Sequence, residues 1–188
     1  ELYGDLGDDY VQGNRGVDFV QGNQGDDDVY GGKGDDVARG GKGDDVVSGD
    51  LGSDQVYGDL GDDHLRGAEA VAMRGSGEVD RMVGGSGADV FYLGDELGAY
   101  YLDLSTGIVS YAHIVDYSLD DKLSLYRADG LRIVRNQTLE DVEGYGTAVY
   151  EGEDLVAFVQ GDSVAINSID LDDQSRVIRQ SFPALSLR

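Results

Sequence analysis

Seven aspartates spaced nine residues apart define the chemistry open to this sequence. They are Asp9, Asp18, Asp27, Asp36, Asp45, Asp54 and Asp63, and Asp80 and Asp89 follow after a break in the spacing. Five of the seven have a second Asp just before them (Asp8, Asp26, Asp35, Asp44, Asp62), but Val17 and Ser53 interrupt that second column. An obligatory ligand tolerates no interruption, so the unbroken column is assigned to metal and the broken one to solvent. Two carboxylates about 5 Å apart repel by roughly 3 kcal/mol at an effective dielectric near 20. A hard dication removes that penalty, and one that accepts mixed carboxylate and carbonyl oxygens at flexible geometry is Ca2+ rather than Mg2+. Zinc is poorly served, because the chain has no Cys and only His64 and His113.

The elements that must position these carboxylates are short. Each nine-residue block, from Gly4–Gln12 to Gly58–Arg66, carries Gly at position one, Gly at position four, Asp at position six and an apolar residue at position eight. Position two is Asp5, Asn14, Asn23, Gly32, Gly41, Asp50 and Asp59, the residue types that best tolerate a left-handed backbone. Positions seven to nine read as a strand with one inward side chain: Val11, Val20, Val29, Ala38, Val47, Val56 and Leu65. A two-sided coil of this kind uses two blocks per turn, so block n stacks on block n+2 with strands about 4.8 Å apart. Two position-six carboxylates then meet at each gap between turns. One buried Val contributes about 1.5–3 kcal/mol, against about 1.5 kcal/mol for ordering each of nine residues. The apolar column alone does not fold the array.

The blocks resemble the nonapeptide repeats of the RTX family across residues 4–92. That resemblance implies a right-handed parallel β-roll with Ca2+ between successive turns. The ligands would be the position-six Asp side chains and carbonyls of the Gly-rich turns, which contain Gly4, Gly13, Gly22, Gly31, Gly40, Gly49 and Gly58 at position one and Gly7, Gly16, Gly25, Gly34, Gly43, Gly52 and Gly61 at position four. The expected pairs are Asp9 with Asp27, Asp18 with Asp36, Asp27 with Asp45, Asp36 with Asp54, and Asp45 with Asp63, giving about five ions or more. Beyond Arg66 the register breaks. Gly67–Arg74 is one residue short and has Ala72 where the Asp belongs, Gly75–Val83 recovers Asp80, and Gly84–Tyr92 is complete with Asp89. Asp54 and Asp89 are therefore expected to lack partners, Asp63 with Asp80 to form a distorted site, and that side of the roll to hold fewer ions.

From Leu93 the composition changes: 22 of the 30 Gly lie before it, and the remainder reads as irregular β-structure. Strands are expected at Tyr100–Leu104, Ile108–Tyr117, Lys122–Tyr126 and Leu131–Arg135, with a hairpin joining Thr147–Tyr150 to Asp154–Val159. Thr138–Asp141 reads as the cap of a short helix. The expected organisation is a roll over 1–92 and a β-rich cap over 93–188 that covers the open end of the solenoid. Ile114–Tyr117 and Asp121–Leu125 resemble the segment that follows the repeats in RTX proteins. Asp116 and Asp121 read as solvated loop carboxylates rather than as ligands at the junction. The tail from Gln174 reads either as an uncleaved type I secretion signal or as a frayed terminus.

A formal net charge of −24 argues against nucleic acid and against a polybasic membrane contact. No apolar run approaches the roughly 20 residues of a spanning helix, and no signal peptide is visible. No G-x-S-x-G or H-E-x-x-H motif supports catalysis, and His64 falls at an outward position seven. The outward positions form no repeated rank of the sort an ice- or glycan-binding solenoid needs. The expected function is a secreted or cell-surface calcium-binding module, exported by a type I secretion machinery and folded by extracellular Ca2+. The alternative is the calcium-binding region of a secreted protease, lipase or epimerase whose catalytic domain lies upstream.

Overall fold

The computed structural model describes residues 1–68, 77–95, 98–101, 110–125, 131–139, 142–161 and 169–171. No helix occurs among the described residues, which form β1 (Leu2–Leu6), β2 (Tyr10–Gln12), β3 (Phe19–Gln24), β4 (Asp28–Lys33), β5 (Val37–Lys42), β6 (Val46–Leu51), β7 (Gln55–Leu60), β8 (His64–Ala68) and β9 (Val79–Ser86). There follow β10 (Val90–Tyr92), β11 (Gly94–Asp95), β12 (Gly98–Ala99), β13 (Tyr111–Ile114), β14 (Lys122–Leu125), β15 (Leu131–Leu139), β16 (Val142–Glu151), β17 (Asp154–Gln160) and β18 (Ile169–Leu171).

Successive strands alternate between two sheets. One runs β1-β3-β5-β7-β9-β13-β17-β16-β15, the other β18-β14-β10-β8-β6-β4-β2, and β11 pairs with β12 alone. Each array strand lies parallel to the strand two blocks on, in the register Val20↔Ala38 and Val29↔Val47. This is the parallel β-roll with two nonapeptides per turn.

Turn chemistry explains why the chain reverses every nine residues. Position two has positive φ at Asn14 (74°), Asn23 (85°) and Asp50 (74°), the conformation that Asn, Asp and Gly tolerate. Position four is more restrictive. At Gly43, φ is 131°, and a Cβ there would run into the Gly25 carbonyl of the turn below, so no other residue fits. The inward column is continuous and sealed: Val20, Val29, Ala38, Val47, Val56, Leu65, Met82 and Phe91 are each 0% exposed. It widens toward the C-terminal end, where Leu93, Tyr100, Tyr101, Ile114, Leu123 and Leu125 join the same core.

The break after Arg66 is an insertion, not a loss of register. Asp80 comes thirteen positions after Gly67, where Asp63 comes five after Gly58, a difference of eight. Residues 69–76 lie outside those described, and β9 pairs with β7 in the usual register, Val56↔Met82. Asp54 is therefore followed by Asp80, and Asp63 by Asp89. This overturns the expectation that Asp54 and Asp89 lack partners and that Asp63 pairs with Asp80, which lies on the opposite edge.

Past the array both sheets continue. β10 pairs parallel with β14, β9 with β13, and β13 with β17, before the antiparallel β15–β16–β17 meander. The expected hairpin is present, with Gly152-Glu153 as its turn. The helix expected at Thr138–Asp141 is not: Thr138 and Leu139 extend β15, where pairing with β16 supplies the backbone partners, and residues 140–141 lie outside those described. Tyr100 and Tyr101 form a turn rather than the start of a strand, with Tyr100 N–H donating to Leu93 O at 2.9 Å, and residues 102–104 lie outside those described. The tail from Gln174 also lies outside them.

Candidate metal centre

The position-six carboxylates form two columns, one along each edge of the roll. On one edge stand Asp9, Asp27, Asp45, Asp63 and Asp89; on the other, Asp18, Asp36, Asp54 and Asp80. Each donates its own backbone N–H to Oδ1 of the next in its column: Asp9 to Asp27 (2.8 Å), Asp27 to Asp45 (2.8 Å), Asp45 to Asp63 (2.9 Å) and Asp63 to Asp89 (3.0 Å). The second edge repeats this for Asp18 to Asp36 (2.7 Å), Asp36 to Asp54 (2.7 Å) and Asp54 to Asp80 (2.8 Å). All five pairs named from the sequence stand together. Asp27, Asp36, Asp45, Asp54, Asp63, Asp80 and Asp89 are at most 2% exposed.

That bond accounts for one oxygen of each carboxylate above the first in its column. The other, Oδ2, is buried without a hydrogen-bond partner at Asp9, Asp27, Asp36, Asp45, Asp54 and Asp63. An orphaned buried carboxylate oxygen is costly, and its recurrence at six of the position-six Asp residues fits a ligand position. The position-one glycines show what surrounds it. A Cβ built on Gly4 would meet Gly22 O of the turn above at 2.7 Å and Asp9 Oδ2 at 2.9 Å, and one on Gly31 would meet Gly49 O and Asp36 Oδ2 at the same distances. Carbonyl and carboxylate oxygens therefore converge beside the bare Cα, in a cradle that any side chain would fill. Oxygen-only donors of this kind suit Ca2+. No group of three or more His, Cys, Asp or Glu side chains gathers among the described residues, since each gap brings two carboxylates and takes its other oxygens from the main chain. Gly40→Ala is expected to abolish calcium binding at its level by driving a methyl group into Asp45 Oδ2, as a loss of at least one ion in a binding isotherm would show.

Burial sets the electrostatics. It pushes the Asp45, Asp63 and Asp80 carboxyls up to about 7 and Asp54 to about 8, with neighbouring carboxylates adding to the rise and the backbone N–H bonds opposing it. Asp89 rises to about 6 for the same reasons, and Asp27 and Asp36 shift upward.

The broken position-five column is exposed, as expected of solvated residues, yet it bonds. Asp8, Asp26, Asp35, Asp44 and Asp62 each accept a backbone N–H from the turn two blocks on, at 2.8–3.0 Å. Ser53 and Ala88 interrupt the carboxylates but still donate their N–H groups, which is why interruption is tolerated.

Two residues beyond the repeats belong to this geometry. Asp121, read from the sequence as a solvated loop residue, is 3% exposed and accepts Asp89 N–H at 3.0 Å, as the next member of its column. Its spacing from Asp116 matches Gly-to-Asp in a repeat, and Leu123 follows at the inward position, but the turn lacks the glycines that identify the others. Asp116, which is exposed, accepts the N–H groups of Gly84 and Gly85, both at 2.9 Å. Tyr101, 1% exposed, donates its hydroxyl to Asp80 Oδ2 at 2.7 Å.

This geometry is that of a calcium-binding β-roll. Residues 3–38, 30–65 and 74–95 match the family model of the RTX calcium-binding nonapeptide repeat in four copies, so the repeat region is an RTX array. No curated protein sequence matches the chain. Among solved structures, the fold is similar to the AlgE6R3 subunit of the Azotobacter vinelandii mannuronan C5-epimerase, with TM-score 0.51 and 23% identity over 84% of this chain and 90% of that one. The extracellular lipase LipA of Serratia marcescens aligns over 88% of this chain and 38% of its own at 15% identity and TM-score 0.34.

Proposed function

We propose that the chain is a non-catalytic calcium-binding module of a secreted or cell-surface protein, and that Ca2+ drives its folding. The observation that carries this reading is the set of six buried Oδ2 atoms with no partner. Metal-free, the folded array would hold stacked, desolvated carboxylates that face one another, and its apolar column is one side chain wide. With several Ca2+ ions bound, each site at a hundredfold excess over its dissociation constant adds about 2.7 kcal/mol to the folded state. The role of the chain's own residues is to supply the cradle: position-six Asp side chains aligned by N–H bonds, and glycines that let carbonyls approach. A module unfolded at low calcium suits passage through a type I secretion machinery, and one folded outside stabilises whatever it is joined to. On this reading, 1–92 is the calcium-responsive roll and 93–188 the cap that closes it.

Circular dichroism tests the mechanism. At about pH 8, β-structure is expected to appear cooperatively as Ca2+ is added and to disappear with chelator. Equal β-content in chelated and calcium-loaded samples refutes it. The likeness to an epimerase subunit favours a second setting, in which the module serves a larger secreted enzyme; its site chemistry is unchanged, and the reading frame upstream distinguishes the two.

A further inference from the structure

We propose that the Tyr101 hydroxyl occupies the place of a cation at the end of the shorter carboxylate column and closes that column without metal. The proposal rests on reading the columns as calcium sites and says where one of them stops.

Three observations support it. Beside Gly4, Gly13, Gly31 and Gly58 the cradle is completed by the position-one carbonyl of the turn above: Gly22 O, Gly31 O, Gly49 O and Gly84 O. Beside Gly67 the nearest oxygens are the Tyr101 hydroxyl and Asp80 Oδ2. The hydroxyl donates to that Oδ2, so Asp80 has a donor where Asp36 and Asp54 below it in the same column have none. Finally, among the described residues the strand position level with Asp80 on the next turn carries no carboxylate. In the β9–β13 register Asp80 lies level with Ala112, which is fully buried.

Charge matching explains the exchange. A gap flanked by two carboxylates calls for a dication, whereas the Oδ2 of Asp80 at the end of the column is served by one neutral O–H donor. The aromatic ring ties that donor to the cap, because Tyr101 belongs to the same buried cluster as Leu93, Ile114 and Leu125. The cap thus sets the number of ions on this edge as well as covering the end of the sheets. Asp121 follows the same rule on the other edge: its Oδ2 accepts Ser118 N–H at 2.6 Å from within its own turn.

The test compares the full chain with Tyr101→Phe, which keeps the ring and removes the donor. Native mass spectrometry of calcium-loaded protein is expected to count the same number of ions in both. Urea unfolding at saturating calcium is expected to show an unfolding constant raised about tenfold or more, since a hydrogen bond to a charged group is lost. One ion fewer in Tyr101→Phe overturns the proposal, because the hydroxyl would then be a ligand rather than a replacement. An unchanged unfolding constant overturns it too. If the variant does not fold, the parent chain decides by NMR: a Tyr101 hydroxyl proton protected from exchange in the calcium-loaded state supports the proposal, and a rapidly exchanging one refutes it. A parent chain that binds no calcium refutes the functional reading, whereas a calcium-loaded parent with an ion-deficient Tyr101→Phe refutes this inference alone.

Discussion

Asp45→Asn is expected to weaken calcium-induced folding by about a hundredfold or more in midpoint concentration and to lose at least one ion, while Asp44→Asn is expected to shift the midpoint by about twofold or less. The two residues are adjacent and differ only in column. Asp45 is 0% exposed, accepts the Asp27 N–H through Oδ1, and leaves Oδ2 buried and unpartnered between two gaps. An amide in its place keeps the shape and removes the charge from both gaps, and removing one member of a buried charge pair costs about 3–5 kcal/mol. Asp44 is exposed and accepts the Asp62 N–H, a bond that an Asn carbonyl oxygen still makes. Surface changes of that kind stay within about 0.5 kcal/mol. Isothermal titration with calcium separates the cases. Similar losses in both variants would mean that the ligand column has been wrongly assigned.

The stacking of the position-six Asp residues was readable because a strict nine-residue period leaves few alternatives. Gly, Gly, Asp and an apolar residue at fixed positions dictate the turn, the inward side chain and the stacking of n on n+2, and all five Asp pairs named from them are adjacent in the fold. The period failed where it was followed too literally. Counting nines through the break at Gly67 moved Asp80 to the wrong edge, because inserted residues change the count without changing the register of the strands on either side. The role of Asp121 was hidden for a related reason. Its turn, Asp116–Asp121, keeps the spacing of a repeat but contains no Gly, and only pairing of β14 with β10 reveals its place in the column. Tyr101 carried no local signal. Its contact with Asp80 depends on a fold-back of the cap against the end of the array, which no periodicity encodes.

Protons are expected to substitute for calcium. In chelator, the array is expected to be unfolded at about pH 8 and to gain β-structure as pH falls toward about 5, still above the sequence pI of about 4.1. The sign follows from the buried carboxyls. Asp45, Asp63 and Asp80 have been raised to about 7 and Asp54 to about 8 in the metal-free fold, from an unfolded value near 3.8. Groups raised in this way bind more protons folded than unfolded, so their contribution to stability is fully present below the unfolded pKa and is lost as pH rises through 6–8. Only hydrogen bonds oppose the rise, from backbone N–H groups and, at Asp80, from the Tyr101 hydroxyl: the charged groups facing Asp54 are Asp36, Asp80 and Glu78, and those facing Asp45 are Asp27, Asp26, Asp44 and Asp63. At about 1.4 kcal/mol per unit, keeping even one such group ionised in the metal-free fold costs a sizeable part of the roughly 5–15 kcal/mol that stabilises an ordinary domain. Calcium reverses the sign, because a ligating carboxylate is held ionised and the loaded fold loses stability as pH falls. The gain in ellipticity on adding calcium should therefore be large at pH 8 and small at pH 5. A chelated chain as unfolded at pH 5 as at pH 8 would show that something other than carboxylate burial keeps the metal-free array open.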